Sequence, residues 1–317
     1  MYQYVLPVVL PLLGGYVLSS LVVFHCPEIL HEKKKTRFRC RHISHRGDKL
    51  CFPLDSAVDM GTEMLEIDLQ MTKDKQVVVC HDNHLSRVAG LDCQVSDLNY
   101  KDLPLLLEKI PIQFHPGAIC EPDNDDRQIP LLSDVFEAFP NIPINIDIKY
   151  DSDELIEKTN ELICKYNREH LCAWGNVNSH VTDRCHRHNP NIPLIFSLHR
   201  CGILLLLYYS GLLPFVPLKE SYLEVMLPKV MLRRFEVSGK LRVICYLADW
   251  LLIRPSLFKH LEKRGIQTYL WVLNEEEEFD LAFDELKVAG VMTDYPRKLA
   301  KYLGKEKDEN TPLIVNE

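Results

Sequence analysis

The spacing of apolar and polar positions divides the chain into an apolar N-terminal run and a long alternating region. From Tyr2 to Phe24 no side chain is charged, and Leu, Val and Tyr dominate. About 20 such residues, rising 1.5 Å each, match a ~30 Å hydrocarbon core. No Lys or Arg precedes the run and no small-x-small cleavage site follows it, so residues 2–24 are predicted to form a retained transmembrane anchor rather than a signal peptide. From about His42 onward, short β-rich runs alternate with helical patterns. Strands are predicted at His42–His45, Met64–Gln70, Val77–His81, Pro143–Lys149, Leu171–Trp174, Pro193–Leu198, Thr268–Leu273 and Gly290–Thr293. Amphipathic helices are predicted at Leu131–Phe139, Glu154–Tyr166, Ser256–Arg264 and Glu275–Leu286, with Gly265 stopping the third. Eight strands alternating with helices predict an α/β fold, a parallel TIM (β/α)8 barrel over residues 42–302.

Two stretches exceed a minimal barrel. Residues 83–130 are long, polar and irregular, and read as an insertion over the strand ends. Residues 202–218 are apolar and broken by Pro214 and Pro217. They are short for a spanning helix and are predicted to form a surface hairpin that dips into the membrane or accepts an acyl chain, with a buried barrel helix as the competing reading. Residues 303–317 form a polar tail.

Composition and charge refine this picture. Among 317 residues, 46% are hydrophobic and 26% charged, as in an ordinary folded protein, and the formal charge of −8 argues against a general nucleic-acid binder. The basic residues are locally concentrated: Lys33, Lys34, Lys35, Arg37, Arg39 and Arg41 fall within residues 25–41, read as a juxtamembrane linker. The positive-inside rule then places the barrel in the cytosol, on the endoplasmic reticulum or another intracellular membrane, with a luminal domain as the alternative. The cluster also suits contact with anionic lipid headgroups. Eleven cysteines without a Cys-x-x-Cys repeat fit reduced thiols rather than a zinc site or a disulfide framework.

The candidate chemistry lies at strand ends. Glu66 and Asp68 are two apart on one strand and share a face, where two carboxylates call for a positive partner such as a hard divalent cation. His45-Arg46, His81-Asp82 and Asp147-x-Lys149 close other strands, and parallel strands bring such ends to one rim. Together these residues suit attack on a phosphodiester. Glu66, Asp68 and Asp147 would hold the cation. Arg46 and Lys149 would neutralise phosphate charge, and His45 and His81 would act as general acid and base.

Four motifs carry a resemblance to a known family: His45-Arg46-Gly47, Glu66-Ile67-Asp68 continuing through Thr72-Lys73-Asp74, Val79-Cys80-His81-Asp82, and Asp147-Ile148-Lys149. Trp271-Val272-Leu273-Asn274 and Thr293-Asp294-Tyr295-Pro296 extend it. The chain resembles the glycerophosphodiester phosphodiesterases over roughly residues 40–302, and with its anchor and apolar segment it is similar to their small membrane-bound branch. The resemblance implies one divalent cation, Mg²⁺ or Ca²⁺, and Trp271 in the substrate pocket. It also implies lysophospholipase D action on lysophosphatidylcholine or N-acyl-lysophosphatidylethanolamine. Family members carry Glu-Asn-Thr shortly after His-Arg-Gly; here Asp48–Ala57 lacks it. The alternative this supports is a catalytically impaired barrel that binds lipid or a protein partner.

Overall fold

A computed structural model of the chain describes residues 2–35, 38–46, 58–113, 116–120 and 127–304. Arg37, Gly47, the divergent stretch 48–57, parts of the 83–130 insertion and residues 305–317 of the tail lie outside the described residues.

The eight strands of the main sheet are β1 (His42–Ser44), β2 (Met64–Met71), β3 (Val77–Val79), β4 (Ile144–Ile148), β5 (Cys172–Gly175), β6 (Tyr222–Met226), β7 (Gln267–Trp271) and β8 (Gly290–Thr293). Seven of them run in the order β5-β4-β2-β1-β8-β7-β6, each parallel to its neighbour. The two ends of this path are joined through Leu194 and Ile195, which make parallel bridges to Trp174 and Tyr222. The wall is a nearly closed parallel barrel, as the alternation of elements predicts.

Three strand expectations need correction, and the first is Pro193–Leu198, which is reduced to the two bridges at Leu194 and Ile195 because a helix begins at Leu198. Val77–Val79 is not a barrel strand: β3 pairs antiparallel to β2, Leu69 opposite Val79 and Met71 opposite Val77. The physical reason is the connection, since only residues 72–76 join β2 to β3, and a parallel partner requires a crossover of a dozen or more residues. The barrel position left open by β3 is taken by β6, which was not expected from the sequence. Its alternation is weak because Tyr222, Leu223 and Val225 are all buried.

The barrel wall is sealed by two apolar clusters. One packs β2 and β4 against the helices Leu132–Ala138 (α2) and Asp153–Lys165 (α3) through Leu65, Ile67, Ile146, Phe136 and Ile156. The other surrounds β6 and β7 with Leu223, Leu270, Leu261 and Phe279. The remaining helices used below are α4 (Ser179–His188), α5 (Leu198–Ser210), α6 (Pro228–Arg234), α7 (Gly239–Leu252) and α8 (Pro255–Lys263). Gly265, at φ +75°, follows the end of α8 as expected.

Residues 202–210 of the apolar segment belong to the helix α5, and after a turn at Gly211 residues 213–215 form a short 3-10 turn. Ser197 accepts a hydrogen bond from the Arg200 amide to cap α5, and Gly211 ends it in the left-handed region at φ +76°. Leu204 and Leu213 are buried against the barrel, while Leu206, Tyr209 and Leu212 stay exposed.

The N-terminal helix, α1 (Tyr2–His25), contains a 19-residue span, Pro7–His25, long and apolar enough to cross a membrane, of which 11% is buried. Its last turns are tied to the barrel. Phe24 stacks on His260 at 4.5 Å between ring centroids, Ser20 Oγ donates to the Gly211 carbonyl at 2.7 Å, and Lys263 Nζ donates to the His25 carbonyl at 2.6 Å. Within residues 25–41, Lys34 differs from the other cations. It is largely buried, donates to the Lys219 and Glu220 carbonyls at 2.6 and 2.7 Å, and burial pulls its ammonium down to about 8.

Close approach elsewhere demands glycine. A Cβ on Gly290, at the start of β8, would lie 2.0 Å from the Cys40 carbonyl oxygen. Gly290→Ala is expected to cost on the order of 3 kcal/mol by forcing β1 and β8 apart. The check is the thermal midpoint of the detergent-solubilised protein, which should fall by several degrees.

Candidate active site

The inward faces of β2 and β4 form the floor of the site. The register sets Glu66 beside Asn145 and Asp68 beside Asp147, and the period-two alternation carries Lys149 to the same side. Lys149 Nζ lies 2.6 Å from Asp147 Oδ2 and 2.8 Å from Asp68 Oδ1. Arg46, just beyond β1, occupies the left-handed region at φ 49°. This uncommon conformation for a side chain of its size aims its amide at Glu66 Oε2, 2.7 Å away, while its guanidinium donates to Gln113 at 2.7 Å and stands 3.9 Å from Asp68.

His81 reaches this floor by an unexpected route. Because β3 returns antiparallel, the Cys80 amide donates to the Asp68 carbonyl at 2.9 Å, and the next residue is delivered back toward the carboxylates. Gln70 Nε2 holds the His81 carbonyl at 3.2 Å.

Each histidine is backed by an aspartate. His45 Nδ1 is 2.7 Å from Asp294 Oδ1, and Asp294 Oδ2 accepts from Asn274 Nδ2 at 2.9 Å. His81 Nδ1 is 2.5 Å from Asp82 Oδ1, and Arg87 donates to both Asp82 oxygens at 2.7 and 3.0 Å. A carboxylate at Nδ1 fixes the proton there and leaves Nε2 as the working atom of each ring.

The electrostatics follow from burial and neighbours. Burial pushes the His45 imidazole below its ordinary value, opposed by Asp294. Burial would raise Asp82, but hydrogen bonds from His81 and Arg87 and the Arg87 charge hold it far below the usual carboxylate range. Burial, followed by the Asp68 charge, drives Glu66 well above its ordinary value, whereas Asp68, although buried, is held low by Lys149, His81 and Arg46. The floor therefore carries more carboxylates than its fixed cations neutralise.

All eight residues singled out in the sequence (His45, Arg46, Glu66, Asp68, His81, Asp147, Lys149 and Trp271) line one cavity of about 430 Å³. One side of it is charged. The part formed by β6, the start of α5 and the end of α7 is mainly apolar, with Phe196, Leu198, Val225, Met226 and Leu252, and is interrupted by Glu224.

The sequence reading missed four polar groups. Glu224 projects from β6 into the cavity and accepts from Asn145 Nδ2 at 2.7 Å; burial raises its carboxyl to about 8. A lone charge inside an apolar run was its only signal. Asn176 donates to Asp147 Oδ1 at 2.9 Å. Asp294 and Asp82 stood inside quoted motifs, but nothing in the chain order announces that residues 45 and 294 touch.

Whether a divalent cation suits this floor can be tested on the donor set. Among the described residues no three His, Cys, Asp or Glu side chains already form a metal cage; Lys149 stands between Asp68 and Asp147 instead. Yet Asp68 Oδ2 is buried without a hydrogen bond, the Arg46 guanidinium standing 3.9 Å away, and Glu66 is disfavoured as an anion by burial and by Asp68. Clustered hard oxygen donors with unspent negative charge fit a hard divalent cation.

Comparison with known proteins places the chain. Residues 45–298 match the glycerophosphoryl diester phosphodiesterase family. The chain is 47% identical over 300 residues to lysophospholipase D GDPD1 of Homo sapiens, covering 92% of this chain and 95% of that one. It is 37% identical over 303 residues to human lysophospholipase D GDPD3, covering 93% and 94%. Among solved structures, a phosphodiesterase from Oleispira antarctica in complex with sn-glycerol-3-phosphate superposes with a TM-score of 0.57 at 16% identity, covering 84% of this chain and 98% of that one. The glycerophosphoryl diester phosphodiesterase domain of a Mycobacterium tuberculosis protein gives a TM-score of 0.64 at 13% identity, over 83% and 99%.

Proposed function

This chain belongs to the glycerophosphoryl diester phosphodiesterase family, and we propose that it acts as a membrane-anchored lysophospholipase D, hydrolysing lysophosphatidylcholine or a related N-acyl-lysophosphatidylethanolamine. The observation that carries the reading is the two-sided cavity. A phosphodiester needs the charged wall, and a single acyl chain gives a use to Phe196, Leu198, Met226 and Leu252 opposite it. Water-soluble glycerophosphodiesters would leave that apolar wall wet, at a cost of about 25 cal/mol for each Å². The two human relatives named lysophospholipase D support the same choice.

Arg46 and Lys149 bind the phosphate and offset charge that develops on its oxygens. His45, kept neutral by burial and oriented by Asp294, takes a proton at Nε2 from the attacking water. His81, steadied by the ionised Asp82, gives a proton to the departing oxygen of choline or of the N-acylethanolamine. A new O–P bond forms, the headgroup O–P bond breaks, and lysophosphatidic acid remains. Glu66, Asp68 and Asp147 would hold a divalent cation, Mg²⁺ or Ca²⁺, which when bound supplies Lewis-acid polarisation of the phosphate. Trp271 flanks the headgroup end of the cavity wall in this reading. The anchor α1 keeps the site at the bilayer where lysophospholipid resides.

The test uses the detergent-solubilised full chain with lysophosphatidylcholine and, separately, glycerophosphocholine, with products read by mass spectrometry beside a His45→Ala control. Metal-dependent lysophosphatidic acid, absent from the control, is the expected result. Folded protein that binds lysophosphatidylcholine but yields no product above the control would replace this reading with the catalytically impaired one.

A further inference from the structure

The α7 helix has no place in a minimal barrel and, among the described residues, no apolar partner on its outer side. Within its 14 residues, Leu241, Val243, Ile244, Tyr246, Leu247 and Trp250 are each between 48% and 60% exposed. So many large apolar side chains on one short helix form the kind of patch that marks an interaction surface rather than ordinary solvent-facing variation. At 1.5 Å per residue the helix is about 21 Å long, too short to cross a ~30 Å hydrocarbon core. It could only lie along one.

Three observations identify what it lies on. First, the patch continues into the candidate membrane span. Tyr209 of α5 stacks on Trp250 and donates to the Leu251 carbonyl at 2.8 Å. The adjoining end of α5 holds α1, with Tyr16 donating to the Ser210 carbonyl and Ser20 to that of Gly211. Second, its border is cationic and aromatic. Arg254 lies 4.7 Å over the Trp250 ring and Arg242 6.0 Å over Tyr246, the pairing of amphipathic rings and basic groups found at headgroup depth. Third, the cavity opens beside it. Leu252 at the end of α7 and Leu198 and Cys201 at the start of α5 line the cavity, and Leu198 is 70% exposed.

We propose that α7 is an interfacial helix, embedded along one face of the bilayer that holds α1, and that the part of the cavity lined by Leu198 and Cys201 at the start of α5 and Leu252 at the end of α7 is the portal through which a lysophospholipid acyl chain passes from the membrane into the cavity. The portal half of this proposal rests on the lysophospholipase D reading; the embedded helix does not. A lipid surface, rather than a protein, is the occupant because the patch is continuous with the spanning helix and bordered by the cations Arg242 and Arg254.

Tryptophan fluorescence tests the first half without any turnover. Of the three tryptophans, Trp174 is fully buried and Trp271 lies in the cavity, so Trp250 is the exposed reporter. The full chain is reconstituted in phosphatidylcholine vesicles whose acyl chains carry bromine near the headgroup. Strong quenching that is mostly lost in Trp250→Phe is the expected result. Trp250 emission quenched by aqueous iodide instead of bromolipid overturns the proposal. Shielding from both quenchers, with crosslinking between copies through this face, also overturns it and assigns the patch to a second copy of the chain. For the portal, the double variant Ile244→Glu with Leu247→Glu should raise KM for vesicle-borne lysophosphatidylcholine roughly tenfold, with turnover of glycerophosphocholine unchanged. Equal losses on both substrates would overturn the portal, and bromolipid quenching without any hydrolysis would leave the embedded helix standing while removing the catalytic reading.

Discussion

His45→Gln is expected to lower kcat by about 10³-fold, the middle of the range for removing a positioned general base, while leaving lysophosphatidylcholine binding nearly intact. Asp294→Asn separates catalysis from positioning. The imidazole remains, but the carboxylate that accepts from Nδ1 and opposes the effect of burial is gone. An asparagine can present its amide hydrogens to Nδ1 and favour the wrong tautomer, so kcat should fall on the order of 100-fold or more. The sign of the pH effect follows from the same charges. Asp294 raises the His45 pKa against burial, so its loss shifts the acidic limb of the kcat/KM profile to lower pH, and His45→Gln should abolish that limb. A His45→Gln enzyme within tenfold of the wild type, or an Asp294→Asn profile with an unmoved limb, would show that another group accepts the proton.

How legible this site was in the chain depends on how each residue reaches it. Glu66, Asp68, Asp147 and Lys149 were readable because strand alternation alone puts them on one face, and the β2–β4 register then brings the pairs together. His81 reads in the chain as the C-terminal end of a parallel strand, yet it arrives on an antiparallel return, which the short link of residues 72–76 dictates. Glu224 was missed because buried strands such as β6 lose the apolar–polar alternation that marks half-exposed ones. The Asp294–His45 contact closes the barrel between its first and last strands, a separation of 249 residues that no local pattern encodes. The α7 surface was overlooked because an apolar helix reads alike whether its partner is a barrel or a bilayer; only its exposure in the folded chain separates the two.

Glu66→Gln should produce the other large effect, with two readouts pointing in opposite directions. If Glu66, Asp68 and Asp147 hold a catalytic divalent cation, losing one carboxylate or adding a chelator removes several kcal/mol of transition-state stabilisation, or about 10³-fold in rate. Stability without the cation should behave otherwise. Burial and the neighbouring Asp68 raise the Glu66 pKa well above its ordinary 4.5, so the folded protein favours the protonated acid. The stability contributed by holding that proton is complete at pH values below 4.5 and is lost as pH rises through the higher folded value. Metal-free wild type should therefore show a falling thermal midpoint across this rise, and Glu66→Gln, a neutral isostere, should flatten it. Added Mg²⁺ or Ca²⁺ should raise the wild-type midpoint most at the alkaline end, where the ionised carboxylate can bind it, and should raise the variant's far less. A cation-induced shift equal in both proteins would place the metal elsewhere, and chelator-resistant turnover would leave Lys149 and Arg46 as the cations that serve the phosphate.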